Sequence, residues 1–247
     1  MQPEKPQDIY QSSRVQKALA GELSIDSLAI FRQANELTKS NFSTFALAGL
    51  IVVSILFGVV FLLLAVMEVP LENFMAMTQT QSAIVDIVLI LVISPLMAGL
   101  MMMGINAARQ RRVETSDLFS WLSITIVLAL GSLIASIMVQ IGMVLFVLPG
   151  IYLGIVTTFT LPLIADKKLT AISAIMLSVR VCSKYLIQMA LFFIISVALF
   201  VFAMFTFGIA LIWVFPLYFN AKGILYDELF GSDDMPSVDA QVTTFNA

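Results

Sequence analysis

The sequence predicts an all-α polytopic membrane protein with six transmembrane helices. They form three hairpins, each preceded by a cytoplasmic interfacial amphipathic helix. Three observations carry this expectation. Of 247 residues, 60% are hydrophobic and only 12% charged, with a mean hydropathy of +1.00. A soluble domain is roughly 45–50% apolar and about 25% charged. The apolar residues fall into charge-free stretches of spanning length, and the basic residues all lie in alternate connections between those stretches. Together these exclude a water-soluble globule, a nucleic-acid binder with a basic face and a disordered chain.

In chain order, residues 1–26 read as a polar cytoplasmic arm, with a short helix from Asp8 to Ala20 stopped by Gly21. Ser27 to Ser40 follows as the first amphipathic segment. Ile30, Phe31, Ala34 and Leu37 share one face; Arg32, Gln33, Glu36 and Lys39 share the other, with Arg32 and Glu36 spaced as an i,i+4 pair. No ionisable side chain lies between Lys39 and Glu68, so 42–67 is the first span. A span needs about 20 apolar residues. Asp86 and Arg109 bracket the second, 83–106. The first apolar run starts near Phe42, so no cleaved secretory signal is expected.

From Leu118 to Ala165 there are 48 uncharged residues. As one helix they would reach about 70 Å, more than twice a hydrocarbon core of about 30 Å. They must fold back, giving spans 119–141 and 143–165 with a turn near Gln140-Ile141-Gly142 and a kink at Pro149-Gly150. Thr115 to Phe119 is a short amphipathic lead-in to this hairpin. Leu169 to Lys184 introduces the last one, with Leu169, Ile172, Met176 and Val179 opposite Ser173, Arg180 and Lys184. Tyr185 to Ala221 holds 37 uncharged residues, about 55 Å of helix, and divides into spans 186–206 and 208–226 around Phe207-Gly208. Residues 229–247 read as an acidic flexible tail.

All thirteen Lys and Arg residues fall on one side of a six-span layout, while the opposite connections hold Glu68, Glu72 and Asp86. The positive-inside rule places that basic side, and both termini, in the cytoplasm. Nine of these cations are candidates for anionic lipid headgroups: Arg32, Lys39, Arg109, Arg111, Arg112, Lys167, Lys168, Arg180 and Lys184. The plainer reading, that the amphipathic helices anchor and orient the hairpins, is preferred to lipid recognition or a docking collar for a partner.

Helix packing has its own candidates. Gly150-x-x-x-Gly154 in the fourth span faces Gly131-x-x-x-Ala135 and Ser132-x-x-x-Ser136 in the third, since small residues let membrane helices approach closely. Asp86 and Gln140 are the polar intramembrane candidates. Asp86 sits near the outer end of its span, where capping a helix N-terminus explains it. Gln140 and Asn106 suit interhelical bridging. Asp166 belongs to a charge cluster with Lys167, Lys168, Arg180 and Lys184. Met101-Met102-Met103 cannot chelate one ion, because successive helical residues point apart.

The chain has no histidine and one cysteine, Cys182. That removes the commonest general base and any intrachain disulfide. No nucleophile–base pair, metal-ligand cluster or phosphate loop is present, so no enzyme activity, metal or other cofactor is expected.

The segments Val139-Gln140-Ile141-Gly142, Val147-Leu148-Pro149-Gly150-Ile151, Leu161-Pro162-Leu163, Asp166-Lys167 and Ser178-x-Arg180 resemble the central signature of YciC-type bacterial inner-membrane proteins. The pattern is also similar to the membrane domain fused to some glycerophosphodiester phosphodiesterases. It covers roughly Gln140 to Lys184; the N-terminal arm and acidic tail lie outside it. The resemblance implies a six-helix bundle in a Gram-negative inner membrane. It implies no chemistry, since the phosphodiesterase activity of the fusions belongs to a separate soluble domain.

The functional expectation is therefore a non-enzymatic integral inner-membrane protein. It would act by association with lipids, a partner membrane protein or a second copy of itself, as a scaffold or accessory subunit in envelope upkeep, and not with nucleic acid. The alternative is a transporter or flippase-like pathway for a lipid or small amphiphile, which requires a groove reaching mid-membrane near Pro149 and Gln140.

Overall fold

Hydrocarbon offers no hydrogen-bond partner, so a chain this apolar must satisfy its backbone internally, and helices do so within one segment. The structure, a computed structural model, describes residues 12–70 and 77–231 and is entirely helical among them apart from turns and short links. The helices are α1 (Ser13–Ala20), α2 (Ser27–Val66), α3 (Gln79–Ala108), α4 (Thr125–Leu145), α5 (Val147–Val156), α6 (Thr160–Lys167), α7 (Ala171–Lys184), α8 (Leu186–Phe205) and α9 (Leu211–Phe230). Five stretches are long and apolar enough to cross a membrane: α2, α3, Thr115–Leu145, Val147–Lys167 and α8. At 20 residues α9 also has the length, but it carries Lys222, Asp227 and Glu228.

Helix ends follow local chemistry. Gly21 closes α1 in the left-handed region (φ 85°), its N–H reaching the Lys17 and Ala18 carbonyls. Asp26 caps α2 by accepting from the Leu28 and Ala29 amides. Thr78 and Gln81 form a capping box at the start of α3. That cap corrects the expectation for Asp86, which stands two turns inside α3 and is exposed. Glu72, residues 1–11 and the tail from 232 onward lie outside the described residues. Residues 229–230, expected in the tail, still belong to α9.

Three further expectations change. The first amphipathic segment is not a separate helix. It runs into the first span as one 40-residue helix, about 60 Å long. The junction is a kink at Asn41 (φ −114°, ψ 16°), where the Asn41 amide donates to the Leu37 carbonyl. Residues 115–124 form two short 3-10 turns, Thr115–Phe119 and Leu122–Ile124, and not an amphipathic α-helix.

The third change concerns the middle hairpin. It turns at Phe146 (φ −160°, ψ 146°), beyond the expected Gln140-Ile141-Gly142. Pro149 then falls in the first turn of α5, where its missing N–H goes unneeded. It starts the returning helix and does not kink it. The break comes instead at Thr157–Phe159, between α5 and α6. The end of α5 leaves orphan carbonyls: Ser178 Oγ reaches that of Val156 from α7 at 2.6 Å, while Thr157 Oγ1 adds a second bond to the Leu153 carbonyl, which already accepts the Thr157 N–H.

Packing is tightest around α9, which lies against both α2 and α3. From Phe219 to Phe230 nearly every α9 residue is buried. Gly104 and Gly223 make this possible. A Cβ on Gly104 would overlap the Phe219 backbone, and one on Gly223 would overlap Gly104 itself. A Cβ on Gly99 would likewise meet the Leu118 backbone. The small-residue contact expected between the third and fourth spans is narrower than its motif. Gly131 meets Thr160 and Ile164, and Gly150 meets Met143 and Gly142, but Gly154 opens to empty space. Ser132, on the neighbouring face, bonds Ser94 of α3 instead. At the other end of the hairpins large apolar residues are bare: Phe146 is 76% exposed and Phe207 99%.

Overpacking ordinarily costs about 1–3 kcal/mol, and here the obstacle is backbone. Gly104→Leu and Gly223→Leu should each lower the melting temperature in detergent markedly, whereas Gly154→Leu should leave it within a degree or two. Equal loss at all three positions would contradict the α3–α9 crossing.

Candidate functional site

Three helices end at one point. Arg109 is the C-terminal cap of α3, Asp166 lies in the last turn of α6, and Asp227 in the last turn of α9. The Arg109 guanidinium grips Asp166 with both terminal nitrogens, at 2.8 and 3.0 Å, and turns its Nε to Asp227 at 2.7 Å. Tyr226 donates its hydroxyl to Asp166 Oδ2 at 3.0 Å, and Lys167 Nζ stands 4.0 Å from the same oxygen. The side chains of Arg109, Asp166 and Asp227 are only 7%, 13% and 12% exposed. One guanidinium faces two carboxylates, and Lys167 brings the group close to neutrality.

Burial by itself would favour neutral arginine. The hydrogen bonds and charges of Asp166, then of Asp227, outweigh it and push the Arg109 pKa above its already high ordinary value. Arg109 therefore stays a fixed cation. A planar fork that engages two acids at once is a geometry lysine cannot supply.

This arrangement corrects two expectations. Arg109 was a candidate for lipid headgroups; its donors are instead committed inside the protein. Asp166 was expected to cluster with Arg180 and Lys184, but those two are exposed on α7 and Asp166 faces Arg109. Lys167 sits beside Asp166, largely covered at 16% exposure. The remaining cations are outward: Arg32, Arg111, Lys168, Arg180 and Lys184 are exposed, Lys39 pairs with Glu36 at 2.7 Å and Arg112 with Glu114 at 3.0 Å. The i,i+4 pairing of Arg32 with Glu36 is thus replaced by an i,i+3 pairing with Lys39.

The other singled-out residues are dispersed. Gln140 is exposed and bonds Ser136 at 3.0 Å, and Pro149 is exposed near the same turn. Neither lies near Arg109, which is at the opposite end of the hairpin. Ala135 is half-buried on α4 and Asn106 half-buried on α3. Cys182 is fully buried, with its sulfur 3.9 Å from Ser178 Oγ, and burial pushes its thiol up to about 12. Among the described residues no three His, Cys, Asp or Glu side chains gather as a metal site.

Sequence reading passed over Asp227 and Tyr226, and the buried bond from Asn220 to Thr38 (3.1 Å) between α9 and α2. A usable signal existed: Arg109, Asp166 and Asp227 each end an apolar run on the basic side, so all three reach the same depth.

α1 packs against α7 and α9 at this end of the bundle. Arg14 Nε donates to the Glu228 carbonyl, and the Tyr185 hydroxyl accepts from the Leu23 amide. Ser27 donates to the Gln188 carbonyl. The first described helix, the interhelical linker and the last helix thus meet on one end of the bundle.

Breaking a buried ion pair by removing one partner costs about 3–5 kcal/mol. Arg109→Met should lower stability in detergent by that order, and Arg109→Lys should recover little of it. The triple change Arg109→Met, Asp166→Leu, Asp227→Leu should restore much of the loss; no recovery would mean that the cluster does more than hold the fold. Cys182 should resist maleimide in the native state and react only after denaturation. Comparison with known proteins adds no assignment to this cluster: the chain matches no protein-family model, no curated protein and no solved structure.

Proposed function

We propose that this chain is a bacterial inner-membrane protein that crosses six times, with α9 as the sixth pass and both termini cytoplasmic. It works without catalysis, by associating with lipids or with partner membrane proteins. The observation that carries the reading is the outer face of α7. Its inner face, Ala174, Leu177, Ser178, Val181 and Cys182, is buried in the bundle. Ile172 (61%) and Met176 (44%) remain exposed beside the exposed Arg180 and Lys184. A helix open on a side that is half apolar and half basic suits the boundary between acyl chains and anionic headgroups.

Charge supports α9 as a pass. Asp227 is paired with Arg109, and Lys222 Nζ rests 5.6 Å from the Tyr218 ring centre, so two of the three charges of the helix have a partner or an aromatic face beside them. The apolar turn around Phe207 suits contact with the far interface. The resemblance to YciC-type proteins points to the same location. The pathway alternative draws no comparable support, because Pro149 and Gln140 are surface residues at the turn end.

Topology is tested in a Cys182→Ser background with single cysteines at Phe146, Phe207 and Lys168. A membrane-impermeant maleimide added to intact spheroplasts should label the first two, and reach position 168 only after permeabilisation. Labelling of position 168 in intact spheroplasts would end the six-pass reading. Native mass spectrometry of protein ejected from its own membrane should show retained anionic phospholipid or a stoichiometric partner. Replacing Arg111, Arg112, Arg180 and Lys184 by Glu should abolish that retention; a bare monomer from the unaltered protein would defeat the association reading.

A further inference from the structure

The outer stripe of α7 has a direction. Ile172, Met176, Arg180 and Lys184 are all exposed and each stands four residues from the next, so the stripe runs from apolar at one end to basic at the other. No residue of α7 is acidic, and neither Arg180 nor Lys184 makes an ion pair among the described residues. The basic end continues onto α1. The Tyr185 hydroxyl, next in sequence to Lys184, lies 3.5 Å from the Lys17 carbonyl, and Lys17 is itself exposed. One turn earlier on α1, Arg14 Nε donates to the Glu228 carbonyl in the last turn of α9. A continuous surface therefore leads from the end of α9 over Lys17 to Lys184 and Arg180, and on to Met176 and Ile172.

The chain leaves α9 at the start of this surface. Gly231 is extended there, at φ −64° and ψ 174°. Residues 232–247 follow, with Asp233, Asp234 and Asp239 and no Lys or Arg. Val242 and Phe245 come after the acids. Acidic first and apolar second is the order that matches the surface, which is basic first and apolar second. The length also suffices. Sixteen residues reach at most about 50 Å, whereas the eight residues of α1 rise about 12 Å and Lys184 to Ile172 about 18 Å.

We propose that residues 232–247 of this chain dock on the outer face of α7 and keep anionic lipid off it. Asp233 and Asp234 meet Lys17 and Lys184, Asp239 meets Arg180, and Val242 and Phe245 cover Met176 and Ile172. The tail and an anionic phospholipid offer the face the same two things, negative charge and apolar surface, so one excludes the other. Exposed ion pairs are individually weak, which keeps the contact reversible. Tethering gives the tail an effective concentration of order millimolar, so weak contacts compete until anionic lipid is abundant. The inference rests on the lipid-associating reading above and names its regulation.

The test uses the full chain in the Cys182→Ser background, in nanodiscs of phosphatidylcholine with increasing phosphatidylglycerol. With Met176→Cys and Val242→Cys, mild oxidation should cross-link the two positions within one chain in pure phosphatidylcholine. The yield should fall as phosphatidylglycerol rises, and Arg180→Gln with Lys184→Gln should remove it. Separately, a bimane label on Met176→Cys reads the phosphatidylglycerol fraction that half-saturates the face. Asp233→Asn, Asp234→Asn and Asp239→Asn together should lower that fraction about fivefold, the effect of freeing one cation at a membrane surface. This variant should melt with its parent, since all three positions lie beyond α9. Absence of the cross-link in pure phosphatidylcholine would overturn the docking, and a cross-link formed only between two chains would place the tail on a second copy. A half-saturating fraction unmoved by the Asn variant would overturn the competition. If the tail fails while native mass spectrometry still finds phospholipid retained through Arg180 and Lys184, lipid association stands and only its regulation is lost. If both fail, both readings go.

Discussion

A guanidinium buried between two carboxylates at the ends of three helices is the interaction on which the remaining architecture depends. Taking Arg109, Asp166 and Asp227 out of water is tolerable only while all three are together. Their separation in sequence is large, 57 residues between Arg109 and Asp166 and 118 between Arg109 and Asp227. Apolar surfaces alone let membrane helices slide along one another, because lipid is as good a solvent as protein for leucine. The ion pairs set the relative depth of α3, α6 and α9. Gly104 and Gly223 then let α3 and α9 touch backbone to backbone. A glycine contact sets distance and a charge contact sets register, and neither does the work of the other.

The irregularities of the fold sit where side chains can absorb them. Asn41 bends α2 at the point where the packed basic end gives way to the first span, and its own amide makes the substitute bond to Leu37. The break at Thr157–Phe159 is supported by threonine hydroxyls and by Ser178 from α7. An interrupted helix at membrane depth is acceptable where protein surrounds it. Phe159 is itself buried against Tyr226 and Phe230, edge to face, so the break is packed on by the same helix that carries Asp227.

How much of this was legible follows the length scale of each signal. The helical, membrane-embedded character was visible because hydropathy accumulates over twenty residues, and the last two turns of α2 or the ends of α8 needed nothing else. Helix breaks were harder. Pro149 looked like a kink since a proline inside an apolar run usually is one, but its effect depends on where the helix starts, and that is decided by the extended Phe146. Thr157–Phe159 has no composition that marks a break. The fusion of the Ser27–Ser40 segment to the first span was missed because amphipathic periodicity says which face is polar and nothing about continuity through Asn41. The cluster was half visible. Asp166 and Arg109 were both singled out as charges at the basic side, yet which cation meets which acid is a property of helix packing, and Arg180 is far nearer to Asp166 in sequence than Arg109 is. Asp227 was overlooked because it follows the last apolar run.

The helix that completes the core is also the last described one to be synthesised. Until α9 emerges from the ribosome, Gly104 has no facing backbone, Arg109 lacks one of its two acids, and Thr38 lacks Asn220. Until then the shared interior of the earlier helices is open, and its closure waits for the last described helix. A chain stopped before α9 would present a half-paired cation and a bare glycine seam.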